Sequence, residues 1–225
     1  MMDFILSIIF SQAANEIAVC GHNDECSHSN ALMCDQKINA TEIDTDLNRL
    51  IFLGDIVLPH NVEQNVYLSS LAQNFSQQRL QELGGFFYCI NHDKIGKTIK
   101  VYSSFLNILP LYYYVDTSTV LISSSAFTIK ERIGNAALSK RFVLDKLLFN
   151  YPFCNASLFK DVNLLSANCY LEISDTVAEK RFTSIEDWLV DSPKSWKKSA
   201  GNLAEYFLDR LATYIPDENF YLSFT

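Results

Sequence analysis

Five soft metal ligands stand within one short stretch of the chain: Cys20, His22, Cys26, His28 and Cys34, in the pattern Cys-x-His-x3-Cys-x-His-x5-Cys. Thiolate and imidazole are the donors that tetrahedral zinc prefers, so the stretch could hold a zinc ion and be ordered by it. Against this, the spacing lacks the Cys-x2-Cys knuckle of familiar structural sites, and polar loops gather such residues by chance. Cys89, Cys154 and Cys169 lie in apolar surroundings and read as inert packing residues, although a Cys near His60 or His92 could in principle act as a thiol nucleophile.

Composition narrows what such residues can serve. A chain of 225 residues, 48% hydrophobic and 13% aromatic, can fill a sizeable core, either as one large domain or as one domain and the beginning of another. Its net charge of -8 is spread over many separate Asp and Glu, and no run of Lys or Arg forms a stripe for phosphates. Nucleic-acid binding is therefore disfavoured. No segment approaches the roughly 20 apolar residues of a membrane span. The best apolar run, Phe4 to Phe10, reads as a buried first strand; as a signal peptide it would carry Asp3 where a positive charge is expected. Six Cys are too sparse for a disulfide scaffold, so the expected compartment is cytoplasmic. The Asn-x-Ser/Thr triplets at Asn39, Asn74 and Asn155 are then chance matches.

The elements that must position any site follow from periodicity. Residues 11 to 48 are polar and aperiodic and read as loop, whereas Leu50-Ile51-Phe52-Leu53 is a short buried strand ended by Gly54-Asp55. Residues 62 to 83 carry apolar positions at broadly helical spacing, open to division into two pieces. Gly85 to Ile90, Thr98 to Tyr102, Leu111 to Val115 and Thr119 to Ile122 are β-branched or aromatic runs separated by turns, which predicts an antiparallel meander. A helix from about Ala126 should stop at Gly134-Asn135, and another from Ser139 to Asn150 should stop before Pro152. Strand character returns over residues 158 to 173. Thr183-Ser184-Ile185-Glu186 has capping-box form. Ser192-Pro193 then introduces a helix with Trp196, Ala200, Leu203, Phe207 and Leu211 on one face, and a domain boundary is expected in residues 183 to 193.

Three segments together resemble the class II glutamine amidotransferase domain of the asparagine synthetase family. Leu83-Gly84-Gly85-Phe86-Phe87-Tyr88-Cys89-Ile90 resembles a Gly- and Phe-bearing strand of such domains, followed by a hairpin into Ile108-Leu109-Pro110-Leu111-Tyr112-Tyr113. The family pattern there is Asp-Arg-x-Gly-x-x-Pro-Leu-Tyr-Tyr, of which the second half matches. Leu121-Ile122-Ser123-Ser124-Ser125 resembles a strand ending in Ser-Ser-Glu, with Ser125 in place of the acid. Leu164 to Ile173 follows a closing segment with a Pro-Gly turn, in which Asn168 takes the Gly position, as a residue tolerant of left-handed backbone can. The resemblance covers roughly residues 50 to 225, and Tyr221-Leu222-Ser223-Phe224-Thr225 reaches the place of the family's phosphate-binding loop.

The resemblance implies an α+β fold, a four-layer αββα sandwich of antiparallel sheets as in amino-terminal-nucleophile (Ntn) hydrolases. A glutamine amidotransferase-like domain would span 1–185, and 186–225 would begin an ATP-pyrophosphatase domain. It also implies that the chemistry is gone. The family's nucleophile is an amino-terminal Cys, and Met2 stands in its place with a thioether that has no ionisable proton. The Asn before the family's Gly-Glu supplies an oxyanion donor; here the segment is Leu53-Gly54-Asp55, so only Gly54 keeps the pattern, and loss of one donor typically costs about a hundredfold. The Arg-Gly-Pro-Asp and Ser-Asp-Thr-Glu segments that hold glutamine have no counterpart, and Arg49 reads as a surface charge.

The expectation is a pseudo-glutaminase scaffold in a ligase that would use ATP and Mg outside these residues, partnered by its own synthetase domain, with a homodimer open and no cofactor of its own. The alternatives are a non-enzymatic zinc- or partner-binding module and an active glutaminase whose start is misassigned.

Overall fold

The structure, a computed structural model, describes residues 4–9, 18–21, 31–34, 38–59, 62–104, 108–153, 155–182, 201–205 and 207–208. It is a mixed α+β structure built on two six-stranded sheets. The first sheet contains β1 (Phe4–Ile9), β2 (Ala18–Gly21), β3 (Ala31–Cys34), β8 (Tyr112–Val115), β9 (Thr119–Ser123) and β10 (Asn163–Leu164), in the order β10-β8-β9-β1-β3-β2. The second contains β4 (Ala40–Asp44), β5 (Asn48–Val57), β6 (Gly84–Asp93), β7 (Thr98–Ser103), β11 (Cys169–Ile173) and β12 (Val177–Arg181), in the order β12-β11-β7-β6-β5-β4. Every pairing is antiparallel except the parallel β2–β3 pair.

Strand alternation explains the layering. On β5, Ile51 and Leu53 point into a core shared with Phe4, Leu6 and Ile8 of β1, while Leu50 and Phe52 point the other way, under Leu68 and Leu71. The same split repeats on β6, with Tyr88 and Ile90 inside and Phe87 and Cys89 under the helices. The two sheets therefore face each other across one core. The helices α1 (Gln64–Gln73) and α2 (Gln77–Gln81) cover the outer face of the second sheet, and α3 (Ala126–Ile133) covers the outer face of the first beside Tyr112 and Tyr114.

Local chemistry sets the bounds of the helices. Ser76 caps α2 by accepting from Arg79 N at 3.2 Å, and Ser125 caps α3 through Thr128 N. Ser125 thus has a structural task where the resemblance expects an acid. Ser139 caps α4 (Lys140–Phe149), which ends at Asn150 in the left-handed conformation. Asn168 also has φ +58°, as expected of the residue at the Gly position before the last strands.

Three expectations are corrected. Residues 11 to 48 were expected as loop but contain β2, β3 and β4; the alternation of Thr41 and Ile43 with exposed neighbours on β4 is too short and polar to register as a strand by itself. The expected four-strand meander is two hairpins in different sheets, β6–β7 and β8–β9. Accordingly, Ile108 to Leu111 is not the start of a hairpin but part of the passage between sheets, with Leu111 buried in the shared core. Strand β12 was not expected at all, since Val177–Arg181 is largely exposed and charged and is held by pairing with β11. The capping-box segment, the expected boundary at 183–193 and most of the expected final helix lie outside the described residues; residues 201–205 and 207–208 within it are helical.

Candidate functional site

One end of the sandwich gathers the residues that the sequence singles out. Phe4 at the start of β1 pairs with Cys34 at the end of β3, and Ile5 pairs with Ser123 at the end of β9. Across the core, the Phe4 ring meets the Tyr88 ring edge-on with centroids 4.8 Å apart. Tyr88 is the register partner of both Leu53 and Ser103, and Gly54 is paired with Phe87 beside it. The start of β1, Cys34, Gly54 and the serine pairs Ser103-Ser104 and Ser123-Ser124 thus sit at the same end.

Two bonds lock this end together. The Tyr88 hydroxyl donates to the Pro110 carbonyl at 2.9 Å, and the Ser103 hydroxyl donates to the Leu109 carbonyl at 2.7 Å. Both tie the crossing segment before Tyr112-Tyr113 to the second sheet. Tyr113 then faces the core while Tyr112 and Tyr114 pack under α3, so the aromatic run serves both faces of the first sheet.

The Gly54 neighbourhood is the part nearest to a binding site. Gly54 has φ +117°, a left-handed conformation in which a side chain is strained. Its N–H donates to the Asn39 carbonyl at 2.8 Å, and the Asn39 side-chain amide donates to the Asp55 carboxylate at 3.0 Å. Together with Thr41 and Gln64 these residues line an open, polar recess of about 480 Å³ at the β4–β5 edge. A free backbone N–H here could stabilise an oxyanion, but this one already has an acceptor. Gly85 keeps β6 close to the same strand, since a Cβ on it would lie 2.2 Å from the Asp55 carbonyl oxygen.

The Ser103 and Ser123 hydroxyls at this end are occupied by structure, whereas the buried Ser104 hydroxyl has no hydrogen-bond partner among the described residues. The Ser123 hydroxyl donates to the Phe4 carbonyl and accepts from Ser125 N at 3.1 Å. No described histidine stands beside them: His92 is four residues along β6 from Tyr88, about 13 Å away by strand rise, and is buried opposite Arg49 and Ile99. A serine or thiol nucleophile needs a base within hydrogen-bond reach, and this end supplies none among the described residues.

The thiols fare similarly. Burial pushes the Cys89 thiol well above its ordinary value, and burial with the Glu179 carboxylate raises Cys169. Cys89 and His92 are three residues apart on one strand and so point to opposite faces. Cys154 and His60 lie outside the described residues. Of the possible zinc ligands, His22, Cys26 and His28 also lie outside them. The β2–β3 register sets Cys20 beside Met33 and Gly21 beside Cys34, and no group of three or more metal ligands occurs among the described residues. Met2 lies just ahead of the first described residue. Arg49 is not a lone surface charge; its guanidinium binds the Glu42 carboxylate at 2.8 Å across the β4–β5 pair.

Sequence reasoning missed Asn39, whose carbonyl and amide bond Gly54 and Asp55 on β5, and the Tyr88 hydroxyl as a tether. The sequence expects Gly54-Asp55 to end the strand in a turn, but β5 continues through Gly54 to Val57, paired with β6 throughout. No family model matches the chain, and no curated protein matches it either.

Proposed function

We propose that this chain is an amidotransferase-like domain of an asparagine-synthetase-like protein, with the Ntn-type four-layer arrangement over residues 1–185, and that it no longer hydrolyses glutamine. The observation that carries this reading is one place in the molecule. The start of β1, where a nucleophile would sit, and Gly54 on β5, where an oxyanion would be held, share one end of the sandwich. In the sequence Met2 stands where the family has the thiol and Leu53 where it has the donor side chain, and the Gly54 N–H is engaged by Asn39.

Retention of the fold without its chemistry supports a scaffold role, in which the domain docks the ATP-using domain that 186–225 would begin. The parent would couple ATP to amide formation, as in asparagine synthesis or ring closure of a peptide or lactam. In this reading ATP and Mg belong to that later domain, and the present chain carries no phosphate site. Incubation of the chain with glutamine should give no ammonia above a protein-free control; release proportional to protein concentration would overturn the loss of activity. The family assignment makes a separate prediction, that the coding sequence following Thr225 contains Gly-Gly-x-Asp close downstream.

A further inference from the structure

A narrow cavity lies beneath α2, against the outer face of the second sheet. Its mouth is at Gln81, which is exposed, beside the half-buried Gln77 and Phe182. Its floor is formed by Tyr102 and Ser104, which are 1% and 4% exposed, and Leu80 and Phe87 supply apolar walls. The Phe182 ring closes one side, edge-on to the Tyr102 ring with centroids 6.3 Å apart. The space inside measures about 20 Å³. One water molecule needs about 10–15 Å³.

The floor carries two buried hydroxyls with nothing to bond. Neither the Tyr102 nor the Ser104 oxygen has a hydrogen-bond partner among the described residues. Gln77 stands beside the Tyr102 hydroxyl but not in bonding geometry. The Ser103 hydroxyl between them is used, since it donates to the Leu109 carbonyl at 2.7 Å. Burial pushes the Tyr102 hydroxyl far above its ordinary value, so it keeps its proton and can donate as well as accept. A buried hydroxyl left without a partner is destabilising, and two on one floor compound that cost unless something bonds both.

We infer that this cavity is a binding site for one small neutral hydrogen-bonding molecule, a water or an alcohol of methanol size, held between Tyr102 and Ser104. Its charge follows from the lining. No charged side chain is among the described residues that form the cavity, so an ion would lose its hydration without gaining a countercharge. Its chemistry follows from the floor, because a hydroxyl accepts from one of the two side chains while donating to the other. Its size follows from the volume, which admits one such group and no ring. The carbon of an alcohol would lie against Leu80 and Phe87. Nothing in this site depends on the amidotransferase-like reading.

An occupied and an empty site give opposite signs in urea unfolding of the full chain. With an occupant present, Ser104→Ala deletes a bonded hydroxyl and the midpoint should fall; in an empty site it deletes an orphan and the midpoint would rise. Tyr102→Phe should lower the midpoint likewise, and the double variant should lose less than the sum, because either change releases the same occupant. A midpoint unchanged or raised in either single variant would overturn the proposal. The second readout is nuclear Overhauser transfer from solvent to the Ser104 amide and the Tyr102 ring. Transfer should be present in the parent chain, and transfer to the Ser104 amide should be lost in Tyr102→Phe. With carbon-13 methanol added, transfer from its methyl group to Leu80 and Phe87 would assign the site to an alcohol, and transfer from water alone would assign it to water. Transfer from neither would overturn the site.

Discussion

The two outer faces of the sandwich are finished to different degrees. Over the second sheet, α1 and α2 bury Tyr67, Leu68, Leu71, Ala72 and Leu80, and Arg79 ties them together by donating to the Ser70 carbonyl at 3.1 Å. Over the first sheet, α3 buries only Ala126 and Ile129, and α4 buries nothing. The four layers are therefore not equivalent. One helical face completes the core of the domain; the other leaves apolar side chains of α4 exposed.

That asymmetry can be broken at graded cost. The largest effect is expected for Gly85→Ala beneath α1 and α2, where the new Cβ would meet the Asp55 carbonyl at 2.2 Å and φ is +99°. Strain and clash together should remove about 3 kcal/mol or more in urea unfolding, enough to leave a marginal domain unfolded. Next comes a matched pair. Leu71→Ala on the buried face should cost about 3 kcal/mol, whereas Leu147→Ala, 77% exposed on α4, should change the stability of the sandwich by less than about 0.5 kcal/mol. Equal losses at the two sites would erase the contrast. Tyr88→Phe, which severs the bond to the Pro110 carbonyl between the sheets, should cost about 1 kcal/mol.

The smallest effect is a pH dependence at the alkaline end. Burial, with a carboxylate beside each, raises Tyr67 and Tyr113 from the ordinary 10 to about 12. An unfolded chain loses these protons near pH 10 while the folded chain holds them, so fewer protons are bound on unfolding and stability falls from about pH 10 to 12. Urea midpoints measured across that window should drop less steeply in Tyr67→Phe than in the parent chain.

How much of this was legible in the sequence depended on how local each signal was. The helices from Ala126 and from Ser139 to Asn150 and the left-handed Asn168 follow from nearest-neighbour backbone chemistry, and they fall where expected. Strands β2, β3 and β4 did not announce themselves, because they are short and their stability comes from partners across the sheet. The split of the aromatic run between two sheets was hidden for the same reason: the bond from Tyr88 to Pro110 joins residues 22 apart, and no local pattern encodes it. At the candidate site, Gly54 was readable by type. That the Gly54 N–H is engaged by Asn39, fifteen residues earlier, was visible only in three dimensions.

The account's central claim is that glutaminase chemistry has been lost from the pocket wall as well as from the nucleophile. Its most direct test is a single replacement, Met2→Cys, in a chain processed so that the new cysteine carries the free amino terminus, assayed for ammonia released from glutamine. The predicted result is no release above a protein-free control, because the Gly54 N–H is held by Asn39 and Leu53 offers no donor. Sustained release would contradict it, and would show that only the nucleophile had been lost.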